Sequence, residues 1–224
     1  MQPTTSRPAP FGAVLFDLDG VIIDTTALHY RVWETFSRAR GFEPTQAELL
    51  ATNGRRGRET LQAWFGPGLT EEDLAASMQE LEVMVQHQLT HGPVSAIPGV
   101  HRFVEDLRRA GVPFALGTSA TAANAELSLS RLGLGELFSV RVTAADVVRG
   151  KPDPEVYLKA AAALGVAPGA CVVIEDSVLG LRAGRAAGAR CLALTTTFSR
   201  DVLEHEAPTW FAEDFRALPF SVSP

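Results

Sequence analysis

The chain has 224 residues, 46% of them hydrophobic and 21% charged, with a formal net charge of −6 and two cysteines. That length suits one medium domain with a smaller insertion better than two equal domains. The acidic balance argues against a nucleic-acid face, and no apolar run reaches the roughly 18 residues of a membrane span.

Residues 1–10 are rich in Pro, Ser and Thr and lack the charged-then-apolar pattern of a signal peptide, so they read as a disordered lead-in to a cytoplasmic protein. Strand signals follow near 12–17, 113–118, 139–143, 171–175 and 190–195, with helix-like stretches at 100–110, 121–132, 153–165 and 177–187. That alternation predicts an α/β fold with a doubly wound parallel sheet, a Rossmann-like core built from 11–24 and 93–224. Between its two parts, helical stretches near 26–40, 45–52, 57–65 and 70–90 are broken at Gly41, Gly54 and Gly66-Pro67-Gly68. Residues 25–92 are therefore expected to form an inserted α-helical cap, hinged at Asp24–Ala27 and Gly92–Ile97. Cys171 and Cys191 both fall in apolar strands and read as reduced, buried thiols.

The chemistry gathers at the strand ends. Asp17-Leu18-Asp19-Gly20-Val21 leaves the apolar run Ala13–Phe16, and side-chain alternation lets both acids face one bound group. Thr118-Ser119 ends the second core strand with a hydroxyl and backbone N–H groups ahead of a helix. Lys151-Pro152 sits just ahead of another helix start, and Glu175-Asp176 ends the strand Cys171–Ile174. Four carboxylates, one ammonium and a hydroxyl describe a pocket for a phosphate and a cation. Four negative groups and a phosphate dianion need a metal, the lysine and a bound proton together, and Mg²⁺ suits oxygen ligands where no His or Cys stands.

In order, Asp17-x-Asp19-Gly20-Val21-x-x-Asp24-Thr25, Thr118-Ser119, Lys151-Pro152 and Glu175-Asp176 resemble the four motifs of haloacid dehalogenase superfamily phosphotransferases, over about residues 11–200. Asp24-Thr25, His29 and Trp33 point within it to the β-phosphoglucomutase and sugar-phosphatase branch. The resemblance implies an aspartyl-phosphate route: Asp17 as nucleophile, Asp19 as acid and base, and Asp17, Asp19, Asp176 and Glu175 around Mg²⁺. Thr118, Ser119 and Lys151 then hold the phosphoryl oxygens. Glu175 reads equally as a direct ligand or as a helix-capping or ligand-orienting acid, and Asp24 more readily as a cap or hinge than as a ligand. Ser177 reads as a helix cap. In that branch the histidine at His29 couples cap closure to the catalytic acid, and an arginine matching Arg58 grips a distal phosphate; plain packing and a solvated charge are the rival readings. Thr25 joins them as a cap-side substrate residue.

One departure bears on substrate. β-Phosphoglucomutases carry a cap lysine before the return linker, whereas Lys151 and Lys159 are the only lysines here. The expectation is thus a Mg²⁺-dependent phosphatase of small sugar or polyol phosphates, monomeric, with no nucleic-acid or membrane partner. A phosphosugar mutase is the alternative. A phospho-accepting regulatory domain shares the acidic pocket but has no use for the helical insertion.

Overall fold

The computed structural model describes residues 11–52, 55–66 and 68–222; the readings made for residues 1–10, Gly54 and Pro67 lie outside them. Strand β1 (Ala13–Phe16) leads through a turn to the short β2 (Ile23–Asp24). Four helices follow: α1 (Thr26–Arg38), α2 (Gln46–Leu50), α3 (Gly57–Phe65) and α4 (Glu71–His91). The chain returns through β3 (Ser95–Ala96), which pairs antiparallel with β2, Asp24 opposite Ser95. The remainder runs α5 (Val100–Arg109), β4 (Phe114–Gly117), α6 (Ala122–Arg131), β5 (Arg141–Val142), α7 (Glu155–Leu164), β6 (Cys171–Glu175), α8 (Val178–Ala186), β7 (Arg190–Leu194), α9 (Arg200–Leu203) and β8 (Trp210–Ala212).

Six strands form one parallel sheet in the order β5-β4-β1-β6-β7-β8. The reversal of direction beside β1 makes it doubly wound and opens a crevice beyond the strand ends there. Strand alternation assigns the two cores. Val14 and Phe16 face one layer, where Phe16 meets Phe103, Phe114 and Phe138 edge-on with ring centroids 5.4–6.2 Å apart. Ala13 and Leu15 face the other, against Tyr157, Ala160 and Ala161 of α7, whose small side chains let that helix lie close to the sheet. Each fully buried aromatic or aliphatic side chain of this kind stabilises the fold by about 1.5–3 kcal/mol. Helix α5 buries Val100, Phe103, Val104 and Leu107 at helical spacing and turns its charges outward.

The buried side chains of the inserted helices run into the cluster that covers one face of the sheet. Trp33 of α1 packs edge-on against Trp64 of α3 at 5.2 Å, and Phe42 covers Trp64 and Phe65. Capping boxes start α2 (Thr45 with Glu48) and α4 (Thr70 with Asp73), satisfying N–H groups that a helix end leaves open. Arg131 of α6 reaches across to the last turn of α4 and donates to the carbonyls of Thr90 (2.6 Å) and Gly92 (3.3 Å), which ties the end of the insertion to the sheet layer. No helix among the described residues is long and apolar enough to cross a membrane.

Candidate active site

β1 ends where its chemistry begins. The Asp17 N–H still donates to Ile174 O at 3.0 Å, so the sheet fixes its backbone, and the next residues wrap tightly as Ile22 and Ile23 N–H both donate to Leu18 O. Gly20 sits in the left-handed region at φ 72°, and a Cβ there would meet Asp176 Oδ2 at 1.8 Å. Only glycine serves both demands. The turn thereby lets the carboxylate that ends β6 lie directly against the loop that ends β1, and Thr196 Oγ1 steadies the loop by donating to Gly20 O at 2.5 Å.

Lys151 joins the acids from the chain ahead of α7, just before a cis Lys151–Pro152 bond. Its side chain is 2% exposed, and Nζ lies 2.8 Å from Asp17 Oδ1 and 2.7 Å from Glu175 Oε1. Glu175 is fully buried and saturated. Oε1 takes Lys151 Nζ and the Tyr157 hydroxyl, each at 2.7 Å; Oε2 takes the N–H groups of Asp176 and Ser177 and the Ser177 hydroxyl. Carboxylate oxygens of Asp17, Glu175 and Asp176 come within 4.8 Å of one another, a hard-oxygen cluster that can hold a metal ion. Ser177 caps α8 by accepting from Gly180 N–H at 3.0 Å.

Asp17 and Asp19 occupy different electrostatic settings. Burial pushes the Asp17 carboxyl up to about 7 against the pull of Lys151, with Glu175 and Asp19 adding to the rise. Burial together with Glu175 and Asp17 likewise holds Asp176 well above the carboxylate range. Burial also acts to raise Asp19, but hydrogen bonds from His29 (3.3 Å) and Thr25 (2.5 Å) outweigh it and leave its carboxyl below the ordinary value. His29 moves the other way: burial favours the neutral ring, yet Asp19 raises its pKa. Lys151 stays an ammonium, since its two carboxylates override its burial.

These groups share one cavity of about 210 Å³, bordered by Asp17, Asp19, Thr25, His29, Thr118, Ser119, Lys151 and Asp176 and lined on its other side by side chains of the insertion. Thr118 is buried, and its Oγ1 accepts from Ala120 N–H at 3.0 Å, which leaves its own proton to donate. Arg58 is not brought here. It lies in the first turn of α3 and pairs with Glu71 at the start of α4, with 47% of its side chain exposed; Arg55, just before the helix, borders the cavity instead. Asp24 is exposed in the β2–β3 ladder. Sequence reasoning missed Tyr157, whose hydroxyl fills Glu175, and Thr197, which hydrogen-bonds Asp176 and borders the cavity. The run Thr195-Thr196-Thr197 after an apolar strand is the signal for the second.

The family model of haloacid dehalogenase-like hydrolases matches residues 14–194. Hexitol phosphatase A of Escherichia coli is 37% identical over 182 residues, covering 80% of this chain and 81% of that protein. A β-phosphoglucomutase of Bacillus subtilis is 33% identical over 187 residues, 79% of this chain and 80% of its own. A crystal structure of a family IA, variant 3 hydrolase of the same superfamily from Entamoeba histolytica superposes with a TM-score of 0.84 at 26% identity, over 92% of this chain and 94% of that one.

Proposed function

This chain belongs to the haloacid dehalogenase-like hydrolases and is a phosphoric monoester hydrolase, and we propose that it is a Mg²⁺-dependent phosphatase of small sugar or polyol phosphates acting through an aspartyl-phosphate. The observation that carries the reading is the Asp17–Lys151–Glu175–Asp176 cluster on a small cavity under the helical insertion. A cavity of about 210 Å³ is smaller than the roughly 300–1,000 Å³ of pockets for drug-sized ligands.

The ligand set fits a hard divalent cation. Asp17 and Asp176 would hold it together with the backbone at Asp19, and when bound it would neutralise charge developing on the phosphoryl oxygens. Glu175 stands behind them. With five donors on its two oxygens it orients Lys151, Asp176 and the start of α8 rather than ligating. Asp17 Oδ attacks phosphorus, the ester bond breaks, and the alkoxide leaves with the proton that Asp19 shares with His29. Asp19 then takes a proton from water as the water attacks the aspartyl-phosphate. Thr118 Oγ1, the Ser119 N–H and Lys151 Nζ would hold the three equatorial oxygens. Two reduced, buried cysteines agree with a cytoplasmic place, and a site complete within one chain agrees with a monomer.

Phosphate release from a panel of sugar and polyol phosphates tests this. Turnover is expected with Mg²⁺, lost with EDTA, and reduced below about 1% in Asp17→Asn, since loss of the covalent route costs several kcal/mol. The mutase relative favours one second reading. If β-glucose 1-phosphate with a trace of its bisphosphate gives glucose 6-phosphate faster than free phosphate, the mutase reading replaces this one.

A further inference from the structure

A second polar group borders the same cavity, and the chemistry above does not use it. Glu82 of α4 accepts from Thr121 Oγ1 at 2.6 Å and Gln86 Nε2 at 2.9 Å on one oxygen, and from Asn124 Nδ2 at 3.0 Å on the other. Those donors are all neutral. Asn124 in the first turn of α6 is 8% exposed, and its Oδ1 is buried without a hydrogen-bond partner. Glu82, Thr121 and Asn124 all line the cavity that holds Asp17 and Lys151.

Hydroxyl groups are the ligand chemistry this arrangement fits. Each donates one hydrogen bond and accepts others, so a polyol can give protons to a carboxylate and to an amide oxygen that lacks a donor. An anionic tail cannot. A second phosphate or a carboxylate would bring like charge beside Glu82, an unfavourable juxtaposition. We infer that Glu82 and Asn124 are the specificity residues that read the uncharged, hydroxyl-bearing tail of a phosphate monoester and reject tails carrying a second anion. The inference rests on the phosphatase reading and narrows its substrate class.

The test compares matched esters with neutral and anionic tails. kcat/KM is measured for sorbitol 6-phosphate against glucose 1,6-bisphosphate, and for glycerol 3-phosphate against 3-phosphoglycerate, in the unmodified protein, Glu82→Gln and Asn124→Ala. Glu82→Gln is expected to cut the neutral-over-anionic preference at least roughly tenfold, mainly through KM. Asn124→Ala should raise KM for neutral tails more than for anionic ones, and it carries the same ratio should Glu82→Gln not fold. Because Glu82 also joins α4 to α6, a purely structural role would scale both members of each pair alike. Equal scaling, or an unmodified protein that prefers anionic tails, overturns the inference. If hexose and hexitol esters are inert while glycerol 3-phosphate is preferred in a Glu82-dependent way, the sugar reading fails and the Glu82 inference stands.

Discussion

Asp17 and Asp19 are two residues apart, yet their surroundings push their affinities for protons in opposite directions. Asp17 has lost water and gained one ammonium it must share with Glu175; Asp19 keeps about a third of its side chain exposed and has gained His29 and Thr25. Pairs of titratable groups driven apart in this way divide the acid and base work of a site. Without a cation the raised Asp17 keeps a proton that a cation beside it would disfavour, while Asp19 is ionised and the proton for the leaving group is the one His29 carries against it. Asp19→Asn is expected to slow turnover about 10²–10⁴-fold, more for alkyl phosphates than for p-nitrophenyl phosphate, whose leaving group needs little protonation. Equal losses on the two esters would remove Asp19 from that role. Ordinary residues set the stage for this division: Tyr157 and Ser177 fill Glu175 so that Lys151 is held at Asp17 by a fixed neighbour.

At the level of elements, α8 shows how closely packing and chemistry are joined. Gly180 stands in its first turn, and a Cβ there would fall 1.7 Å from Glu175 Oε1. Gly180→Ala must therefore displace either the helix or a fully buried, five-bonded carboxylate. A loss of roughly 3–5 kcal/mol in urea denaturation is expected, the range for breaking a buried charge pair, together with a large fall in kcat. A variant of unchanged stability would show that α8 moves aside freely. The elements that were legible in the sequence are those whose signals are local. β1 and β6 announce themselves as apolar runs ending in acids, and α2 and α4 begin at Thr-x-x-Glu and Thr-x-x-Asp boxes. The two-residue strands β2 and β3 carry no period, and β8 is a three-residue edge strand after Pro208, so neither gave a readable pattern. Within the site, Asp17, Asp19, Thr118, Lys151 and Asp176 were legible because each ends or follows a strand. Tyr157, Thr197 and Glu82 were not, since the partners that place them in the site lie far away in sequence and none of them ends an apolar strand. The Arg55–Arg58 exchange has the same origin: Arg55, in the loop before α3, borders the cavity, while Arg58 in the first turn pairs with Glu71 at the start of α4.

For the whole molecule, the site is a concentrated stress on an otherwise well-packed α/β fold. An Asp17 carboxyl ionises near 3.8 when unfolded and near about 7 when folded. Between those values the folded chain keeps a proton that the unfolded chain has lost, so stability is full below about 4, falls as pH rises through the window, and levels off above it. Asp176, also raised, works in the same direction, whereas the lowered Asp19 contributes stability above its unfolded value that is lost as pH falls. The lowered acids titrate below the ordinary carboxylate values, under the pH 5–8 window, so within it the raised Asp17 and Asp176 leave a fall toward alkaline pH for the metal-free protein. Mg²⁺ should oppose it. A cation bound to the ionised acids of the folded state alone adds about 2.7 kcal/mol at a hundred times its Kd, and each kcal/mol raises Tm by roughly 2–4 °C for a chain of this size. Melting curves at pH 5 and pH 8, each with EDTA and with Mg²⁺, should show Tm falling with pH in EDTA, a Mg²⁺ gain that is larger at pH 8, and a flatter EDTA profile for Asp17→Asn. A metal-free Tm that rises between those pH values would mean that Asp17 and Asp176 are not held protonated by the fold, and a Mg²⁺ gain indifferent to pH that they are not the groups that hold the cation.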